Sequence, residues 1–176
     1  MASIRGFIAA SVDGYIADRE GGVGWLEPFE AVDYGYERFI DDIHTVVMGR
    51  KTYDQARGFG PDWVYLGKRG IVVTSKPLTH PPPNVAAWRK DIPELVPHLR
   101  NLDDGDVWIV GGSRLQSALL DLGAIDRLEL FLIPVLLGDG VPLFLKSEHS
   151  ATLCLDAIEQ FEMGLVRLDY RLRRAD

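Results

Sequence analysis

The sequence predicts an α/β fold with one mostly parallel central sheet and antiparallel strands added at its C-terminal end. Three observations predict it. Short apolar runs at Ile4–Ala10, Thr45–Met48, Ile71–Val73 and Val107–Val110 have the length and composition of buried strands. Runs with helical spacing lie between them, which implies parallel pairing through right-handed crossovers. The last third of the chain reads as strands, which implies antiparallel additions at one end of the sheet.

The elements follow in order. Ile4–Ala10 is bounded by the turn pair Asp13-Gly14 and reads as the first strand. Tyr34, Phe39 and Ile40, set among Glu37, Arg38, Asp41 and Asp42, fit a helix. Thr45–Met48 ends at Gly49, and Ile71–Val73 ends at Thr74-Ser75. Lys76–Asn84 carries four prolines and reads as a stiff extended connection. Ile92, Leu95, Val96 and Leu99 are spaced as a helix that tolerates Pro93 in its first turn. Val107–Val110 ends at Gly111-Gly112. Leu115, Ala118, Leu119 and Leu122 then form an amphipathic helix, with Ser113 as N-cap and Gly123 as the stop. Leu128–Leu137 is expected to be one long strand, followed by a turn at Gly138-Asp139-Gly140 and a last strand at Leu165–Leu172.

Length and composition bound the function. A chain of 176 residues, 47% apolar and 26% charged, suits one globular domain over residues 1–176. The net charge of −7 argues against a general affinity for nucleic acid or an anionic membrane. The longest apolar stretch, Leu130–Leu137, is too short to span a bilayer. Cys154 is the only cysteine, so there is no internal disulfide and no thiolate metal cluster. No signal-peptide layout is visible, and a cytoplasmic location is expected. The histidines His44, His80, His98 and His149 show no metal-ligand spacing, and no metal site is expected.

Three strand ends carry residues suited to phosphate. At the first, Gly49 lets the backbone approach a ligand, Arg50 and Lys51 add charge, and Thr52 adds a hydroxyl, all at a helix N-terminus. A solvated basic helix start explains this segment equally well. The second is the hydroxyl pair Thr74-Ser75. The third is Gly111-Gly112, followed by Ser113 and Arg114, at another helix start; a tight turn explains that pair as well. Taken together, two positive helix ends and a hydroxyl pair are better explained by a long polyphosphate ligand such as a dinucleotide. There is no G-x-G-x-x-G after the first strand and no Walker lysine motif.

These segments resemble those of dihydrofolate reductases. Val46–Tyr53 is similar to their strand-to-helix cofactor segment, and Val107–Gln116 to their second glycine segment. Ile71–Ser75 resembles the strand whose end meets the adenosine 2′-phosphate. Ala9–Ala17 resembles the first strand and the mobile loop over the nicotinamide. The order of all four matches, from about residue 4 to 172. A closer likeness is to the reductase domain of bifunctional riboflavin-biosynthesis enzymes and its stand-alone relatives. It is carried by Ser11-Val12-Asp13-Gly14, by Ile125-Asp126-Arg127-Leu128 and by Pro134–Phe144. The resemblance implies a dihydrofolate-reductase-like three-layer fold and NADPH as cofactor. It implies that Gly49, Arg50, Thr52, Thr74, Ser75, Gly111, Gly112, Ser113 and Arg114 hold the phosphates and adenosine. Ala9, Ala10 and Ile16 would lie near the nicotinamide. It also implies a homodimer, to which two apolar strand candidates near a sheet edge, Leu128–Leu137 and Leu165–Leu172, add a physical reason.

At the substrate end, Asp33 lies sixteen residues before Gly49 and is expected to open the helix that precedes that strand. Folate enzymes carry a substrate-binding carboxylate at the matching place. Buried, it would have a raised pKa and could relay a proton; at a helix start it could equally be a cap. Trp25, on the glycine-rich loop after the first strand, could stack on a planar heterocycle, with Tyr34 and Tyr53 lining the same cleft or lying in the core. The riboflavin-pathway reductases usually carry a longer Asp-Pro-x-Leu-Thr-x-Arg segment, where this chain reads Asp54 to Trp63 through Pro61. The expectation is an NADPH-dependent reductase of a small heterocyclic (pteridine- or pyrimidine-like) or carbonyl substrate. The alternatives are a 5-amino-6-(5-phosphoribosylamino)uracil reductase, a dihydrofolate reductase, or a nucleotide-binding module without chemistry.

Overall fold

A computed structural model describes residues 2–60, 62–147 and 150–172; Pro61 and His149 lie outside them. The chain opens with β1 (Ile4–Ser11), β2 (Tyr15–Ala17) and a 3-10 turn at Gly24–Phe29. Then come α1 (Tyr36–Asp42), β3 (Ile43–Gly49), α2 (Arg50–Arg57), β4 (Arg69–Val73) and β5 (Val85–Trp88). The rest is α3 (Ile92–Arg100), β6 (Asp106–Gly111), α4 (Ser113–Asp121), β7 (Arg127–Ile133), β8 (Val141–Pro142), β9 (Leu153–Gln160) and β10 (Val166–Leu172).

Eight strands form one sheet in the order β5-β4-β3-β6-β1-β7-β10-β9. The six from β5 to β7 are parallel, and β10 runs antiparallel to both β7 and β9. The α/β class and the antiparallel C-terminal addition are therefore as the sequence predicts. Successive strand residues point to opposite faces, so an all-apolar strand feeds two cores. On one face Phe7, Val46, Met48, Val72, Trp108 and Phe131 pack with Phe39 of α1 and with Tyr53 and Ala56 of α2. On the other, Ile4, Val47, Ile71, Val107 and Ile109 pack with Leu95 and Leu99 of α3 and Leu115 and Leu119 of α4. Each fully buried aliphatic side chain contributes about 1.5–3 kcal/mol, and helices on both faces make three layers. Among the described residues, no helix is long and apolar enough to cross a membrane.

Several boundaries differ from expectation. The strand expected over Leu128–Leu137 ends at Ile133, because Pro134 has no N–H to give the ladder. Strands β7 and β10 lie near a sheet edge as expected, but the edge strand itself is β9, which pairs with β10. Ser113 is not the N-cap of α4. Gly112 holds that position, and the Ser113 hydroxyl donates to the Pro142 carbonyl. Gly123 does end α4, at a φ of 59°. Tyr34 precedes α1, and Asp33 does not open it, since Gly35 is the residue before the first turn. The proline-rich connection leads into β5, which pairs with β4.

Candidate functional site

Register brings the three strand ends together. Gly49 of β3 pairs with Val73 of β4, so Arg50 and Thr74 are neighbours at one rim of the sheet. Met48 pairs with Gly111 of β6 on the other side. Both α2 and α4 start at this rim, and neither has a side-chain cap on its N-terminus. Their first N–H groups thus lack the usual side-chain partner and carry the positive end of the helix dipole.

The glycines here differ in kind. Gly111 has a φ of 137°, which favours glycine for conformational reasons, and its peptide bond to Gly112 is cis. Gly49 (φ −75°, ψ 166°) and Gly112 (φ −81°, ψ −175°) have extended backbone that any residue adopts. A Cβ at Gly49 would sit 3.9 Å from the Gly112 nitrogen, and one at Gly112 would sit 3.5 Å from the Thr52 hydroxyl. Both are ordinary contacts, so nothing inside the chain demands glycine at either position.

Arg50 reaches across the rim. Its Nε donates to both carboxylate oxygens of Asp54, at 2.8 and 3.0 Å, and its Nη1 to the Pro77 carbonyl at 3.1 Å. That places the guanidinium beside the Thr74–Lys76 corner, where the Lys76 N–H donates to the Thr74 hydroxyl at 3.2 Å. Lys51, Ser75 and Arg114 are exposed along the same rim.

A flap adjoins the end of β1. There β2 pairs with β8, Tyr15 opposite Pro142, and the Leu143 N–H donates to the Gly14 carbonyl. Asp13 latches it: its carboxylate accepts from the Ser11 hydroxyl and from the N–H groups of Leu137 (3.1 Å) and Gly138 (2.7 Å). The Ser11 hydrogen bond, with those two N–H groups, holds the Asp13 carboxyl below the ordinary carboxylate range. Ile16 lies on this flap, and Ala10 is buried near the end of β1.

A largely apolar pocket of about 190 Å³ lies on the sheet face that carries Phe7, Ala9 and Phe131, whereas Ile16 of the flap packs with Ala10 on the other face. Ala9, Leu26, Phe29, Tyr34 and Phe131 are among its walls, and Glu30, itself exposed to solvent, is the one carboxylate among its described lining residues. Burial raises the Tyr34 phenol above its ordinary range, and the Glu30 charge adds to this. Of the expected substrate residues, only Tyr34 lines this pocket. Trp25 packs against the neighbouring core while the next residue, Leu26, faces the pocket. Tyr53 is buried under α2, its ring 5.8 Å from that of Trp63.

Asp33 is exposed rather than buried. Its Oδ1 accepts from the Gly35 N–H at 3.1 Å, in a turn of its own. It lines a larger polar cavity of about 490 Å³ on the far side of Tyr34, with Arg5, Arg38, Glu129, Glu159 and Arg167. No residue of the glycine rim lines that cavity, and two of its three arginines are committed to acids. Arg5 binds Asp42, Asp106 and Glu129, and Arg167 binds Glu159.

Known proteins share this architecture. The RibD C-terminal domain family matches residues 2–167. The uncharacterized protein YwjB of Bacillus subtilis (strain 168) is 33% identical over 165 residues, covering 93% of this chain and 94% of that protein. A crystal structure of a Shewanella sp. PV-4 protein named for riboflavin biosynthesis superposes with a TM-score of 0.86 at 29% identity, covering 99% of this chain and 100% of that one. Dihydrofolate reductase from Enterococcus faecalis, solved with NADP(H), superposes with a TM-score of 0.67 at 21% identity, covering 98% and 97%. The fold is therefore dihydrofolate-reductase-like.

Proposed function

The chain belongs to the RibD C-terminal domain family, and on that footing we propose that it is an NADPH-dependent reductase of a small planar heterocycle or carbonyl compound. The observation that carries this reading is the pair Gly49 and Gly112. The fold requires glycine at neither, yet both stand at helix starts with no side-chain cap, where a missing Cβ lets a phosphate reach backbone N–H groups. The residues present fit a dinucleotide. Gly49, Arg50, Lys51, Thr52, Thr74, Ser75, Gly111, Gly112, Ser113 and Arg114 would hold its phosphates and adenosine. Ser113 would do so through its N–H, its hydroxyl being committed to Pro142. Ala9, Ala10 and Ile16 would lie against the nicotinamide. When bound, the dihydronicotinamide supplies a hydride equivalent.

A C=N or C=O acceptor also needs a proton. We assign its delivery, or the anchoring of a protonated ring, to Glu30, the carboxylate of the apolar pocket. Asp33 then has a structural role in its turn. Leu26, Phe29, Tyr34 and Phe131 would flank the ring. The pocket lining has no Lys or Arg among the described residues. A substrate phosphate would lose water there with no cation in exchange, which favours a phosphate-free substrate over the phosphoribosyl pyrimidine. The test is NADPH titration followed by NADPH oxidation across a panel of pteridines, pyrimidines and carbonyl compounds. Tight binding with no turnover on any of them would replace this reading with a binding module.

A further inference from the structure

Two buried polar side chains on the helices that start at the rim lack hydrogen-bond partners among the described residues, the Tyr53 hydroxyl of α2 and the Gln116 amide of α4, and of the two only Gln116 leaves separate donor and acceptor atoms unused. It is 1% exposed, and neither its Nε2 nor its Oε1 has a hydrogen-bond partner among the described residues. An amide carries both donors and an acceptor, so this is a complete recognition edge left unused. Its neighbours on α4 are treated differently. The Ser113 hydroxyl donates to the Pro142 carbonyl, and the Ser117 hydroxyl accepts from the Leu145 N–H at 3.2 Å. Burying an amide without partners is costly, and an apolar residue would fill the space without that cost.

Position says what the edge faces. Gln116 is in the first turn of α4, where its N–H donates to the Gly112 carbonyl at 3.1 Å. Helical side chains lean towards the N-terminus, so the amide leans back over Ser113 and Gly112, at the glycine rim. Ser113 holds Pro142, and Pro142 pairs with Tyr15, next to Ile16. The first turn of α4 therefore sits between the glycine rim and the flap.

We infer that Gln116 is a specificity-determining residue that reads a planar amide edge, a C=O beside an N–H, on the ligand held at this rim. This rests on the dinucleotide reading above, and the edge is assigned to the carboxamide of the nicotinamide. Two amides meet through paired hydrogen bonds, each donating to the other's oxygen. A lactam edge on the substrate's ring offers the same chemistry from another source.

The test uses Gln116→Met, which keeps length and removes both polar atoms, and Gln116→Leu as a second variant. The probes are NADPH, adenosine 2′,5′-bisphosphate, which lacks the nicotinamide, and uracil as a lactam. We expect NADPH binding to weaken roughly tenfold or more, adenosine 2′,5′-bisphosphate to bind unchanged, and the ligand-free Tm to hold or rise. Wild type should also prefer NADP over its 3-acetylpyridine analogue, which lacks the amide N–H, and the variants should lose that preference. Unchanged NADPH affinity, equal weakening of both nucleotides or a lower ligand-free Tm would each overturn the inference. Loss confined to uracil would overturn the carboxamide assignment in favour of the substrate. Failure of wild type to bind NADPH would instead overturn the reading on which this one rests.

Discussion

Alanine at Gly49 or Gly112 should leave the protein slightly more stable and cripple its hold on the dinucleotide. The backbone angles at both positions suit any L-residue, and the added methyls would meet their nearest neighbours at 3.9 and 3.5 Å. Alanine at such a site stabilises a protein by about 0.4–1 kcal/mol, because the unfolded chain loses freedom. At this chain length that is a rise in Tm of about 2–4 °C per kcal/mol. Binding should move the other way. A methyl standing over the first turn of α2 or α4 keeps a phosphate from the N–H groups, and a hydrogen bond to a charged group is worth roughly 1.5–3 kcal/mol. That corresponds to about a 10- to 150-fold rise in the NADPH dissociation constant. Thermal melts with and without NADPH, together with fluorescence titration, read both quantities. Gly6→Ala is the control: its Cβ would meet Leu128 Cδ1 at 2.8 Å, so it should destabilise by overpacking and spare NADPH affinity. If both rim variants bind NADPH as wild type does, or melt lower without it, those glycines serve packing and the cofactor reading loses its support.

Other expectations concern charge and assembly. NADPH should bind more tightly than NADH, because Arg50 and the Thr74–Lys76 corner can meet a 2′-phosphate; Arg50→Ala should erase the difference, and equal wild-type affinities would refute the preference. Glu30→Gln should cut turnover with little change in NADPH affinity, whereas Asp33→Asn should leave turnover near normal; the opposite pattern would restore Asp33 as the acid. Asp13, with its carboxyl lowered in the fold, should stabilise the flap above its unfolded pKa of about 3.9 and lose that contribution as pH falls through its lower folded value. The Tm gap between wild type and Asp13→Asn should therefore be full at neutral pH and close in acid, and a gap constant with pH would sink the latch. The chain is also expected to be a homodimer paired along β9, which closes the sheet with Ile158 63% exposed. Ile158→Lys should shift light scattering towards monomer mass, and a wild-type monomer at micromolar concentration would end that idea.

The sheet's buried strands were legible because burial on both faces writes an unbroken apolar run. Val46, Val47 and Met48 feed two cores and could be read directly, as could Val107–Val110. Strand β9 is the opposite case. Its sequence, LCLDAIEQ, is mostly exposed, so no face selects an alternation that could be read. The strands β2 and β8 are three and two residues long, too short for any period. Leu128–Leu137 misled because hydropathy ignores hydrogen bonding, and Pro134 ends the ladder whatever its neighbours.

The site divides along the same physical line. Its backbone part is legible as a candidate, because a glycine after a buried strand announces itself in one dimension: Gly49, Gly111 and Gly112 are expected at strand ends, and strand register brings those ends together. Its side-chain part is not. Glu30 lines the pocket only because the turn at Gly24–Phe29 folds the segment that follows it against β1 and β7, and one dimension holds no record of that approach. Trp25, Tyr34 and Tyr53 are alike as aromatic residues, yet one lines the pocket and two belong to the core. Gln116 lies between the two cases. It falls within the buried arc of α4 that carries Leu115 and Leu119, so a polar residue on an apolar face was visible in the periodicity. What periodicity lacked was the inventory of its partners. Only the fold shows that the two serines beside it are satisfied and that the amide is not, and that difference turns a break in an apolar pattern into a claim about what the site binds.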